Sequence, residues 1–200
     1  VAANSLQELY VAQLQDLYDA EQQIMKALPK MIQEAQSDEL RAALSEHLEV
    51  TKTQAERIES ISEELGTDPK NEKCKGMEGV LKEGSELLKA TGEKVRDAAI
   101  IAAGQRVEHY EMAGYGTARA YAELLGYDKA ASMLAQSLEE EKEADETLSS
   151  LSEGINIAAQ EAEVEQEAEV KTGKSGERSP SDSKVTARGN KASARGKRVA

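Results

Sequence analysis

The chain has no tryptophan, no phenylalanine, one cysteine and three prolines in 200 residues. Each scarcity excludes something. Tyrosine is the only aromatic, so a core must be built from Leu, Ile, Val, Ala and Met. That composition, with little proline, favours helices over strands. The single Cys74 rules out an intrachain disulfide and fits a reducing compartment, where it reads as a packing residue. No apolar run approaches the roughly 20 residues of a membrane span, and no signal-peptide pattern is visible. The expectation is a cytoplasmic protein without membrane contact.

Positive charge is also scarce, except at one end. The formal net charge is −13, yet nine Lys and Arg in residues 171–200 face only Glu177 and Asp182. That stretch carries +7 and the first 170 residues −20. The acidic body repels nucleic acid and only the tail attracts it. Gly, Ser, Ala, Lys and Arg dominate the tail, which holds too little apolar surface to fold alone. The expected organisation is a helical domain over 1–158 and a disordered tail over 159–200, first acidic, then basic.

What is abundant is apolar spacing of the helical kind. Over 5–36 the stripe is Leu6, Tyr10, Leu14, Leu17, Ile24, Leu28 and Met31, with Ser5 and Glu8 as a capping box and Pro29 expected to kink the helix without ending it. Over 37–65 it is Leu40, Leu44, Ala55, Ile58, Ile61 and Leu65, stopped by Gly66. A shorter helix over 74–91 carries Met77, Val80, Leu81, Leu87 and Leu88. The segment 97–126 carries Ile101, Val107, Ala118, Ala122 and Leu125, and 128–153 carries Ala130, Leu134, Leu138, Leu148 and Leu151. Beyond Gly154 an acidic stretch reads as a frayed extension. Four long helices imply an all-α, four-helix bundle. The first connection is short and the second is long, about thirty residues with a short extra helix inside it, which is the ferritin-like topology.

Polar residues interrupt these apolar faces near the middle of each long helix. They are Glu21, His47, Glu108 and Glu111, and Glu141 and Asp145. Buried ionised carboxylates lose several kcal/mol of hydration unless compensated. Cations bridged by carboxylates compensate, so the set is read as ligands for two iron or manganese ions per chain; oxygen-rich ligation suits these metals better than zinc. The usual Glu-x-x-His pairs are absent: Leu44 stands three residues before His47, and Ala144 three after Glu141. Bridging and terminal roles therefore stay unassigned. Gln13, Thr51, Gln54, Gln105 and Tyr115 share the inward faces and are candidates to orient the ligands. His109 is read as a flank or dimer-contact residue, and Arg57 and Arg106 as partners of flanking acids.

The segments DLYDAEQQI, HLEVTKTQAERI, CKGMEGVLKE, VRDAAIIAAGQRVEHYEMAGYGT and LEEEKEADETL resemble the YciE/YciF family of ferritin-like proteins across residues 5–155. The resemblance implies a ferritin-like fold, a homodimer, an association with bacterial stress responses and metal binding, without an established activity.

Two main readings follow. In the first, the chain is a di-metal carboxylate protein of the oxidative or general stress response; as an enzyme it would be an oxidoreductase acting on peroxide, O₂ or Fe(II). In the second, a non-catalytic dimeric bundle uses Lys184, Arg188, Lys191, Arg195, Lys197 and Arg198 to hold DNA or another polyanion weakly. A third keeps the acids protonated with no metal. On the second reading, DNA binding falls steeply with salt and disappears when residues 171–200 are removed; gel shifts of intact and truncated chains check this.

Overall fold

The helices begin and end where local chemistry directs. In the computed structural model, which describes residues 3–173 and side chains up to Val164, α1 spans Leu6–Glu34, α2 Asp38–Leu65, α3 Lys75–Ala90, α4 Arg96–Leu125 and α5 Asp128–Gly173. No strand occurs among the described residues, so the chain is all-α as expected. Val1–Val164 form one compact unit. The tail cations from Lys184 to Arg198 lie outside the described residues.

Ser5 caps α1, accepting from the Glu8 amide at 3.1 Å, while the Glu8 carboxylate reaches back to the Asn4 amide at 2.6 Å. Ser37 caps α2 in the same way through Leu40. Gly66 (φ 65°) and Gly126 (φ 78°) end α2 and α4 in the left-handed conformation that satisfies the last carbonyls. Pro29 does not interrupt α1. Gly154 does not end the last helix, which continues to Gly173 rather than stopping near Glu153. A helical glycine costs only about 1 kcal/mol relative to alanine, and the good helix formers that follow offset it.

Side chains fix the hairpin geometry. The Asp97 carboxylate, at the start of α4, accepts from the Gln36 and Ser37 amides at 2.8 Å each, pinning the turn between α1 and α2. Arg96 pairs with Glu34 at 2.9 Å across the same junction. α3 lies in the connection between α2 and α4 and packs on α1 and α4. Its start is held by Asp19, which accepts from the Cys74 amide at 2.8 Å, and by Gln23, which donates to the Cys74 carbonyl at 2.9 Å.

The apolar core falls into two clusters. One gathers Ile24, Leu28, Leu40, Leu44, Met77, Ile100, Val107 and Leu148. The other gathers Tyr10, Leu14, Leu17, Ile58, Ile61, Tyr115, Ala118 and Leu134. Along every long helix one cluster gives way to the other about midway, at the inward polar residues. Small residues let the helices approach: a Cβ on Gly114 would lie 2.6 Å from Leu17 Cδ2, itself fully buried. Gly114→Ala should therefore destabilise the fold by about 1–3 kcal/mol from overpacking, despite alanine's better helix propensity; urea melts of the two proteins measure it.

Candidate metal centre

The seam between the two apolar clusters holds the polar residues that the apolar stripes left unexplained. From α1 comes Glu21, between Leu17 and Ile24. From α2 comes His47, beyond Leu44. From α4 come Glu108 and Glu111, between Val107 and Tyr115, and from α5 comes Glu141, between Leu134 and Leu148. The four glutamates are at most 3% exposed and His47 is 8% exposed. One ligand atom each from His47, Glu108, Glu111 and Glu141 lies within 4.8 Å of the others. Glu21 adjoins them, since its carboxyl faces Glu111 and its field acts on Glu108 and Glu111.

Most of this donor capacity is unused. Glu21 Oε2, His47 Nε2, Glu108 Oε2, both Glu111 oxygens and Glu141 Oε2 are buried without a hydrogen-bond partner. His47 Nε2 stands 3.5 Å from Glu108 Oε1. Among the described residues no lysine or arginine pairs with any of the four glutamates. Burial first, then mutual repulsion, pushes the carboxyls of Glu21, Glu108 and Glu111 well above the usual range. Burial likewise pulls the His47 imidazole below its ordinary value, with Glu141 opposing, so the ring is neutral at pH 7. Orphaned oxygens and a neutral imidazole converging on one space fit a hard or borderline divalent cation, which would satisfy all of them together.

Neutral polar groups hydrogen-bond to members of the cluster. Tyr115 donates its hydroxyl to Glu21, and burial followed by the fields of Glu21, Glu111 and Glu141 keeps that phenol protonated. Gln54 donates to Glu141 and, at 3.2 Å, to Glu140. Thr51 Oγ1 donates to the His47 carbonyl at 2.8 Å, tying the histidine's own turn. All three lie beside the buried cluster. Gln13 lies instead against Gly114, and Gln105 bonds Ser149 at 2.9 Å and Asp145 at 3.3 Å, outside the cluster.

Asp145 is not brought together with the other five. Its side chain is 21% exposed and faces His109 Nε2 at 3.5 Å. It lies four residues beyond Glu141, one helical turn, and the turn carries it past the buried seam to the surface where α4 and α5 meet. Arg57 pairs with a flanking acid, Glu140, bidentate at 2.5 and 2.8 Å, and also bonds Ser137 at 3.1 Å; which acid it takes is the part the sequence did not name. Burial alone would raise the Glu140 carboxyl, but Arg57 holds it below the ordinary range. Arg57 thus presents a charge already neutralised beside the cluster. The signal available was weak: an arginine on α2 and an acid on α5 have no fixed spacing in the chain. Arg106 approaches Glu83 at 3.6 Å, also as a flanking pair.

The chain can now be placed among known proteins. The model of a domain of unknown function, DUF892, matches residues 5–163. Protein YciF of Escherichia coli K12 is 47% identical over 127 residues, covering 62% of this chain and 75% of that protein. The crystal structure of the E. coli stress protein YciF superimposes with a TM-score of 0.74 at 41% identity, over 78% of this chain and 99% of that one. YcfI of Rhodopseudomonas palustris gives a TM-score of 0.71 at 43% identity, over 73% of this chain and 94% of that one. With the family model spanning nearly the whole helical unit, the chain belongs to the DUF892 family and is a YciE/YciF-type protein.

Proposed function

We propose that the chain is a ferritin-like di-metal protein of the stress response, binding two iron or manganese ions through Glu21, His47, Glu108, Glu111 and Glu141. The observation that carries this is the set of orphaned buried donor atoms shared by all five residues. In this reading α1, α2, α4 and α5 make the four-helix bundle, α3 is the extra helix of the crossover, and two copies pair as a homodimer. Asp145 stands one turn from Glu141 as a reserve acid at the edge of the site.

Bound iron or manganese would supply redox chemistry toward peroxide or dioxygen, and kinship to a protein titled a stress protein favours that use. The chain's own contribution is specific. Glu21, Glu108 and Glu111 would give up the protons that burial keeps on them to become ligands, whereas His47 would need to lose none. Tyr115 and Gln54 fix two of the carboxylates from opposite helices, so the donors wait in place. The apolar clusters on both sides exclude water and keep the charge interactions strong.

Elemental analysis after anaerobic reconstitution with Fe(II) or Mn(II) tests the reading. Glu108→Ala should lose metal while circular dichroism shows retained helicity; wild-type protein holding less than about one metal per two chains would overturn the assignment.

The pH dependence of stability gives a second test. An unfolded glutamate releases its proton near pH 4.3, whereas Glu21, Glu108 and Glu111 in the folded metal-free chain keep theirs to higher pH. In that interval the folded state binds more protons, so its stability is greatest below about pH 4.3 for these groups and falls as pH rises. Metal reverses the trend, because it binds the deprotonated set. The melting temperature of chelated protein should thus fall as pH rises above about 4.3, and that of metal-loaded protein should hold or rise over the same change.

A further inference from the structure

The five donors are not equally enclosed. Glu21, Glu111 and Glu141 are at most 1% exposed, and Tyr115, Gln54 and Thr51 close their side of the cluster. His47 and Glu108 differ, because both line a cavity of about 170 Å³ between α2 and α5. The other described cavities are lined by no member of the cluster. The walls of this one are small or apolar: Ala43, Leu44, Val50, Ala144 and Leu148. Its lip carries Glu46 and Glu143, both exposed and without a cationic partner among the described residues. Glu140 also lines it, but Arg57 neutralises that carboxylate. At the inner end wait two buried, unpartnered atoms, His47 Nε2 and Glu108 Oε2.

Resting on the metal reading above, we infer that the α2–α5 cavity is the route by which a divalent cation enters, with Glu46 and Glu143 as the capturing pair and His47 and Glu108 as the first buried donors met. The order of charge along the route is what such an entry needs. Two free carboxylates at the mouth raise the local cation concentration, while Glu140 is held by Arg57 and offers no competing trap. Small walls then leave room for a cation that has shed part of its water. An apolar reactant gains nothing from the acids at the lip, so their presence favours a cation as the occupant. Glu46 and Glu143 act on the rate of entry; they do not hold the metal at equilibrium.

The test is stopped-flow loading of the full chain with Co(II), read by the growth of its visible absorption, with final stoichiometry from elemental analysis. E46Q/E143Q should load at least about five-fold more slowly at low salt, at unchanged final stoichiometry, and the difference should shrink as salt is added. E63Q/E72Q, which removes two exposed acids elsewhere, should load at the wild-type rate. Ala144→Leu, which narrows the wall, should slow loading at every salt concentration. Wild-type rates in both E46Q/E143Q and Ala144→Leu would overturn the route while leaving the metal site standing. A wild-type chain that takes up no Co(II), Fe(II) or Mn(II) would overturn the site and the route together.

Discussion

Four glutamates buried in one layer, with no lysine or arginine of the described residues paired to them, set the terms for the rest of this molecule. Each charge would cost several kcal/mol to bury alone, and like charges close together raise the cost further. Folded without metal, the chain meets that cost by retaining protons on carboxyls that would otherwise be ionised. It therefore depends on its two apolar clusters to hold the helices together around an unfavourable seam. The clusters are continuous on either side of the seam and draw on all of the long helices, so the seam is crossed by packing on both flanks. The close approach of Gly114 to Leu17 belongs to the same requirement, since it brings α4 against α1 just beside the layer.

Around the acids the structure separates two tasks. Neutral donors touch the acids directly: the phenol of Tyr115 on Glu21, the amide of Gln54 on Glu141. A nearby guanidinium, that of Arg57, is given a carboxylate of its own in Glu140, with Ser137 as a further partner. Had Arg57 turned toward Glu141, it would have compensated the buried charge and removed a donor from the cluster. Neutral hydrogen bonds fix orientation while leaving the second oxygen of each carboxylate free, and those second oxygens are among the orphaned atoms. The arrangement spends stability to keep donor atoms available, which is how functional sites commonly depart from the rules of a well-packed core.

The helices and the buried acids were readable from the chain because both depend on period. Apolar residues at three and four spacing define a face, and a glutamate in phase with that face must point inward. Glu21, Glu108, Glu111 and Glu141 are in phase and are buried; His47, Thr51, Gln54 and Tyr115 follow the same logic. Asp145 shows the limit. At about 100° per residue, four positions advance the helix by some 40° beyond a full turn, and near the edge of a stripe that is enough to pass from seam to surface. Gln13 and Gln105 are likewise only half-buried. The end of α5 was obscured by a different one: Gly154 carries the usual signature of a helix stop, but stopping is decided by the φ a glycine adopts, which composition does not encode. The pairing of Arg57 with Glu140 and the cavity between α2 and α5 depend on which helices become neighbours, and no spacing within one helix records that.

The irregular donor set also has a physical reading. In a symmetric site each helical hairpin would bring an equivalent pair of ligands, and both ends would be enclosed alike. Here α4 contributes two glutamates three residues apart, α2 a histidine with a leucine where its acid would stand, and α5 one buried acid with an alanine three residues on. Leu44 and Ala144, which stand where a Glu-x-x-His spacing would place a side chain able to bind a metal, both line the cavity that reaches His47 and Glu108. Aliphatic groups at these positions add no polar atom to the layer and leave volume on this side of it. The side built from α1 and α4 keeps its acids and is sealed by Tyr115. The two positions without an acid or imidazole thus lie on one face, the one with an opening, while the additional glutamate of α4 lies on the enclosed side.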